Sequence, residues 1–351
     1  EKIAVRQLKK LRKRIYARID ADGIVLVSGK GKRKTPIQRL SEWIDQCLAK
    51  LKQYTKDIHI CGNRNSFSKT DHDATFMHMK EDHMRNGQLK PGYNVNVATC
   101  SDFIIGSYIS SDRNDVHTLI PFMEQLQKNY AGRNIGSVVV DSGYESEENY
   151  CWFEAHPETE LYVKPSNHEM AKHRKYRTDI SRRENMAYDA QTDTYTCANG
   201  KLLQRTQEKK THTASGLEIA TSVYECNECD GCPLKEKCIR ACGSKKPLEE
   251  RYKVIYVSKR FARQRQAMEA KISSPKGCLL RVNRSIQAEG NFAYVKQDLD
   301  FRRFLLRGNM KVAAEWLLFS LALNILHLHH KIQNRRLGSD LKIPSSFPAG
   351  L

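Results

Sequence analysis

Two hydrophobic periods alternate along the chain, and the points where they change divide it. Leu8, Leu11, Ile15 and Ile19 recur at helical spacing between cations in VRQLKKLRKRIYARI. PIQRLSEWIDQCLAKLKQY repeats that pattern after the polar loop SGKGKRKTP, so residues 1–57 are expected to form mostly amphipathic helix. From Asp71 to Val163 the period shortens. DATFMHM, YNVNVATC and FIIGSYIS are strand-like runs separated by polar turns. NDVHTLIPFMEQLQKNY returns to the helical period, with Leu119, Phe122, Met123 and Leu126 on one face and Asp115 near its start. SVVV has no polar alternation, as a strand covered on both faces requires. Glu145, Glu147 and Glu148 then favour a helix N-terminus, and ELYVKP supplies one more strand. Three strands, helix, strand, helix, strand is the order of a mixed α/β sheet with flanking helices.

Residues from about 166 to 272 break this rhythm. They are polar, carry short segments such as TYTCANGKLLQRT and GLEIATSVYEC, and hold the clustered cysteines. They read as an inserted cysteine-rich module. Helical patterns follow from about Arg260 to Met268, from Val282 to Lys296 and from Lys311 to Lys331. The expected layout is a basic helical region (1–60), the first part of a core (61–165), the insert (166–272), the second part of the core (273–335) and a tail (336–351). The longest apolar run, Val312 to Leu328, is interrupted by Glu315, Ser320, Asn324 and His327, so it reads as a buried helix and no membrane span is expected.

Charge sharpens the picture. The 351 residues carry 59 Lys plus Arg against 40 Asp plus Glu, a formal net charge of +19, which favours a polyanionic partner, nucleic acid or an anionic surface. The basic helices at the start are either a solvated pair or an arm that contacts DNA. No signal peptide is visible, and a chain that starts with Glu is expected to lack its natural N-terminus. Eleven Cys without secretory features point to a reducing compartment, where clustered thiols bind metal more often than they form disulfides.

The run SVVVDSGYE drives a buried strand into a carboxylate, Asp141. Asp73, which begins the first strand run, is a candidate companion if the two strands are neighbours in one sheet. Close carboxylates repel unless cations intervene. A pair of Mg²⁺ ions is the usual solution, because Mg²⁺ prefers carboxylate and phosphate oxygens, and two such ions serve phosphodiester chemistry. A third acid is available in NRSIQAEGNFAYVKQDLDFRRF. There Glu289, Phe292 and Lys296 fall on one helical face, so that Phe292 would anchor the helix on the sheet, Glu289 reach the metals and Lys296 hold a DNA phosphate.

In TDHDATFM, GYNVNVATCSDFIIGSYISSDRNDVHTL, VVVDSGYESEENY and RSIQAEGNFAYVKQDLDFRRFLLRG the chain resembles bacterial insertion-sequence transposases of the DDE class. These motifs cover roughly residues 65–165 and 280–330. The resemblance implies a ribonuclease-H-like core in which Asp73, Asp141 and Glu289 hold two Mg²⁺ or Mn²⁺ ions, with Arg284 and Lys296 as basic partners flanking the Glu. Asp71 is the rival to Asp73; DAT followed by an apolar run favours Asp73. Relatives often place a Tyr ahead of the Arg, and RVNRSIQAE has none.

CNECDGCPLKEKC groups Cys226, Cys229, Cys232 and Cys238, with Cys197 and Cys242 flanking. Two C-x₂-C steps match the chelate spacing of structural Zn²⁺. Because TCANGKL resembles a zinc-ribbon turn, the preferred ligands are Cys197, Cys229, Cys232 and Cys238. Free thiols and an iron–sulfur cluster are the alternatives. HLHH (His327, His329, His330) reads as the polar end of the last helix, and no Walker spacing is present.

The expected function is metal-dependent cleavage of DNA at element ends followed by strand transfer into target DNA. The expected partners are terminal inverted repeats and target DNA. The expected assembly is a homo-oligomer, at least a dimer on DNA, in a bacterial cytoplasm with the nucleoid. The rivals are a non-catalytic zinc-containing DNA-binding protein derived from a transposase and a nuclease on the same core.

Overall fold

The computed structural model describes residues 5–79, 86–240, 246–338 and 341–342. Helix accounts for 46% and strand for 18%, the mixed α/β content expected. The chain divides into two units, Glu1–Tyr93 with Arg307–Asn309, and Asn94–Leu306 with Met310–Leu351.

The first unit opens on α1 (Val5–Ala21) and α2 (Pro36–Cys61). Thr35 caps α2 by accepting from Gln38 N–H at 3.3 Å, and Pro36 takes the first turn, where a missing N–H costs nothing. Ile15, Ile19 and Ile44 are buried between the helices, as the periodicity requires, whereas Leu11 faces out. Asp45 ties the pair by accepting from Arg12 Nε and Tyr16 Oη, both at 2.5 Å. Strand β1 (Thr75–Met77) pairs antiparallel with β2 (Lys90–Gly92).

The second unit opens on a hairpin of β3 (Asn94–Cys100) and β4 (Phe103–Ser110). Its two-residue turn places Ser101 and Asp102 at φ 52° and 70°, the left-handed pair that matches strand twist. Helix α3 (Leu119–Asn129) follows; then β5 (Ser137–Val140), α4 (Glu147–Ala155) and β6 (Glu160–Val163) form a parallel pair with its crossover helix. The apolar face read from the sequence, Leu119, Phe122, Met123 and Leu126, meets Tyr150, Phe153, Leu161 and Val163 in one core. Met268 and Ile272 of α7 (Lys259–Ser273) close the same core from far along the chain.

Between these segments lie a short α5 (Arg174–Arg177) and an antiparallel sheet of β7 (Ala187–Asp189), β8 (Thr194–Thr196), β9 (Leu202–His212), β10 (Glu218–Glu225) and β11 (Val254–Val257). Its order is β11-β10-β9-β8-β7, and the one-turn α6 (Lys235–Cys238) lies in the β10–β11 connection. Helix α8 (Pro275–Arg284) packs closely on α7. A Cβ on Gly277 would come 2.7 Å from Ile272 Cα, so only glycine fits. The helix runs on through a π-turn (Ser285–Glu289), α9 (Gly290–Ala293) and a second π-turn (Tyr294–Asp298). The last helix is α10 (Asn309–Gln333).

Two expectations need correction. The single mixed sheet is resolved, among the described residues, into separate short ladders, β1–β2, β3–β4 and β5–β6. The final helix is not buried throughout. Val312, Trp316, Ser320 and Leu323 face the core, but its opposite apolar face lies open, because one neighbouring core covers only one side of a helix. Cys242 and residues 339–340 and 343–351 of the expected tail lie outside the described residues.

Candidate active site

Asp141 stands where β5 ends, and its carboxylate is not idle. Its Oδ1 accepts from Gly143 N–H at 2.8 Å, capping the 3-10 turn Ser142–Tyr144 that carries the chain out of the strand. Asp115 faces it across Gly143. A Cβ at residue 143 would lie 3.0 Å from both Asp115 Oδ2 and Asp141 Oδ1, so a glycine lets the two carboxylates approach. Asn94 Nδ2 donates to Asp115 Oδ1 at 2.7 Å.

Tyr144 organises the floor of this nest. Its hydroxyl donates to Asn96 Oδ1, a buried acceptor that also receives Thr118 Oγ1 at 2.8 Å. Burial first, then the charges of Asp115 and Asp141, hold the Tyr144 phenol far above its ordinary range, while Arg284 opposes them. The hydroxyl therefore stays protonated and serves as a donor. Asn149, nearly inaccessible on α4, donates to the carbonyls of Val116 and Tyr144 at 3.1 and 2.7 Å and locks the turn to that helix.

Glu289 closes the first π-turn. Arg284 Nη2 donates to its Oε1 at 2.8 Å, with the Glu side chain well exposed. Helix α8 lies against β5, the strand that ends at Asp141, and the π-turn that carries Glu289 lies against β3 of the same unit. Arg284 pairs with Glu289, and among the influences on the Tyr144 phenol its charge is the weakest. Phe292 anchors the helix as expected, stacking on Trp316 at 5.7 Å beside Val95, Val97 and Ile104 of the hairpin. Lys296 Nζ lies 5.9 Å from the Phe292 ring centroid. The π-turns widen the helical repeat between these residues, a feature that recurs at functional positions.

Asp73 belongs to the first unit. Its Oδ2 accepts from Asn309 N–H at 2.8 Å, and Arg64 Nη1 holds its carbonyl at 3.0 Å. Its rival Asp71 is engaged at both oxygens. Oδ1 accepts from Gly308 N–H at 3.2 Å and from Asp73 N–H at 3.3 Å, and Oδ2 accepts from Tyr93 Oη at 2.6 Å.

The cysteines come together at the end of the five-stranded sheet. Cys197, Cys229, Cys232 and Cys238 line one small cavity of about 20 Å³, and so does Cys226, which the preferred set left out. Cys197 opens a tight turn, Cys197 N–H to Lys201 C=O at 2.8 Å; Cys226 follows β10, where its N–H bonds Lys253 C=O at 3.0 Å. Burial pushes the Cys226 thiol up to about 11, and burial raises Cys238 as well, against the pull of Lys253. All are free thiols. Among the described residues, no three or more His, Cys, Asp or Glu are drawn close enough to hold a metal ion. His327 Nε2 donates to Asn291 Oδ1 at 2.8 Å and ties α10 to α9.

The sequence pattern did not single out Asp115, Asn96 or Tyr144, and Cys226 was a candidate left outside the preferred ligand set. Asp115 looked like an ordinary helix-start acid, and only tertiary pairing sets it beside Gly143. Cys226 had the spacing of a ligand, but six thiols compete for four places.

Residues 196–329 match the model of the family described as "Transposase DDE domain". The matched stretch contains the cysteine cavity and the helix bearing Arg284, Glu289 and Lys296. No curated protein and no solved structure matches the chain.

Proposed function

We propose, for a chain that carries a DDE transposase domain and hence has DNA as its partner, that it cuts phosphodiesters at the ends of a mobile element and joins the freed 3′-hydroxyl to target DNA. Asp73, Asp141 and Glu289 are the carboxylates of a ribonuclease-H-like core in this reading. The observation that supports it most is the packing of α8, which ends at Arg284 and runs on to Glu289, against β5, the strand that ends at Asp141. Arg284 itself pairs with Glu289 at 2.8 Å.

Divalent ions are general to the family. The donor chemistry fits them, since hard carboxylate oxygens suit Mg²⁺ or Mn²⁺, and two ions would activate the attacking oxygen and stabilise the leaving one. The chain's own residues do the rest. Gly143 N–H orients Asp141, and Tyr144 with Asn96 fixes the turn that carries it. For Glu289 to serve as a ligand, Arg284 must leave it; the freed guanidinium then suits a DNA phosphate bidentately. Lys296, held over Phe292, supplies a second phosphate contact. Asp73 is preferred to Asp71 because the oxygens of Asp71 are already committed to Tyr93, Gly308 and Asp73.

The thiol cavity suits one structural Zn²⁺ by donor type, with Cys226 competing for a place among Cys197, Cys229, Cys232 and Cys238. Binding there requires the thiols to lose protons and draw inward. Pairing two element ends further calls for at least two copies of the chain.

A plasmid carrying the element ends, incubated with and without Mg²⁺, tests the reading. Metal-dependent cuts at the ends followed by joined products support it. Cuts without joined products assign a nuclease instead, and binding without any cut assigns the non-catalytic DNA-binding protein.

A further inference from the structure

Helix α10 carries an apolar stripe that no described residue covers. Leu318, Leu321, Ile325, Leu328 and Ile332 are 70, 59, 61, 43 and 52% exposed. Their steps alternate three and four residues, the spacing of a coiled-coil seam. The helix does not roll to bury them. Its other face packs Trp316 and Leu323 against Ile104 and Val295, and Asn324 exchanges two 2.8 Å hydrogen bonds with the Ile104 backbone.

The helix has the length and hydropathy of a membrane span. However, buried Glu315 caps the N–H groups of Leu305 and Leu306, and buried Lys331 pairs with Asp102 at 3.7 Å. These bonds hold one side of it in the folded unit, where lipid cannot surround it.

We infer that the stripe is covered by a second copy of the chain, α10 against α10 about a two-fold axis. The seam spacing is self-complementary, so each copy offers the other the knobs and holes it needs. The five stripe positions are apolar, and Lys331, the one Lys, Arg, Asp or Glu between Leu318 and Ile332, is buried against Asp102, so a copy meets no like charge along the seam. Each large side chain contributes on the order of 100 Å², and with Leu317 and Met310 the face approaches the ~800 Å² per partner that stable interfaces bury. The inference names the surface of the proposed two-copy assembly and for its purpose rests on that reading.

Sedimentation equilibrium of the full chain without DNA tests it. The wild type is expected to dimerise, and more tightly as salt rises, because salt screens repulsion between two chains of net charge +19. Leu321→Glu with Ile325→Glu should weaken the dimer at least about 100-fold with unchanged circular dichroism. If that variant unfolds, Leu321→Ala with Ile325→Ala, which keeps a good helix former, should weaken it about tenfold. A wild type that stays monomeric, or variants that dimerise as well as wild type, would overturn the proposal. So would a monomer that binds phosphatidylserine vesicles through Leu321 and Ile325, which would assign the stripe to lipid. Plasmid cleavage by the wild type, measured alongside, separates the two readings. A stripe-dependent dimer that never cuts keeps the interface and removes the transposase; a cutting chain whose dimer ignores the stripe does the reverse.

Discussion

The carboxylate nest around Asp141 and the thiol cavity around Cys226 are built in opposite ways. Asp141 and Asp115 lie on half-exposed ground, and each carboxylate accepts one hydrogen bond, from Gly143 N–H and Asn94 Nδ2 respectively. Cys226 and Cys238 are kept neutral, because burial raises both thiols. The first arrangement offers hard carboxylate oxygens, the donor type that suits a hard cation. The second takes a soft metal only by releasing protons, so metal uptake there is coupled to pH and to folding. One cluster therefore suits chemistry and the other stability.

The sharpest way to break this contrast is at the thiols. Purified chain should hold about one zinc. Cys229→Ser with Cys232→Ser should abolish it and unfold the β7–β11 sheet, since structural zinc contributes on the order of 10–16 kcal/mol to small domains. Metal analysis with thermal unfolding checks this. Zinc uptake should also release protons and weaken as pH falls. A metal-free chain with unchanged unfolding in the double variant would leave the cavity as ordinary packing.

A smaller effect is expected beside the carboxylates, at Glu145. Its side chain is 1% exposed, and Arg265 Nε and Nη2 grip both of its oxygens at 2.7 Å. Burial pushes the Glu145 carboxyl up, but the hydrogen bonds from Arg265 and Ser166 outweigh it and leave the carboxyl below its ordinary value. Glu145→Gln, which strands Arg265 without its charge partner, should cost about 3–5 kcal/mol. The sign with pH follows from the depressed value. The stabilisation is complete above the unfolded carboxyl range, near 4.3, and is lost as pH falls through the lower folded value. Chemical denaturation at neutral and acid pH measures both, and equal stability of variant and wild type at neutral pH would refute the assignment.

The smallest expected effect separates the phosphate contact proposed for Lys296 from those of the first helix. Arg12 is spent on Asp45, so of the cations in the first helix Lys9, Lys10 and Lys13 are the better phosphate contacts. Their joint replacement by Ala should lower the slope of log affinity against log salt by about 0.9 for each DNA phosphate left without its cation, and leave cutting by the bound complex unchanged. Lys296→Ala should lower the slope by only about 0.9 yet impair cutting strongly, because the scissile phosphate loses its position. Filter binding over a salt series, with cleavage under saturating protein, distinguishes them.

How much of this was legible in the sequence depends on what each pattern encodes. The face Leu119, Phe122, Met123, Leu126 follows from side-chain period alone and is buried as expected, whereas SVVV forms its strand but is only partly buried, with Ser137 exposed and, among the described residues, one partner strand, β6. The C-x₂-C steps brought Cys229 and Cys232 to a common cavity because a chelate spacing is local. Asp115 was illegible as a neighbour of Asp141. A two-residue approach across Gly143 is set by how α3, β3 and β5 assemble, and no local pattern records it. The π-turns at Glu289 and Asp298 were missed for a related reason, since a widened turn leaves little trace in hydrophobic spacing. The open stripe of α10 was misread because an apolar helix looks the same whether its far side meets a core or a partner.

In the proposed reaction Asp141 and Glu289 act on one metal-bound phosphodiester, with Arg284 exchanging Glu289 for phosphate. Mn²⁺ binding followed by electron paramagnetic resonance tests it most directly, on wild type, Asp141→Asn and Glu289→Gln, each with an element-end duplex. Bound Mn²⁺ is expected in the wild type, and each single variant should lose that signal with the duplex still bound. Mn²⁺ retained unchanged in both variants would contradict it.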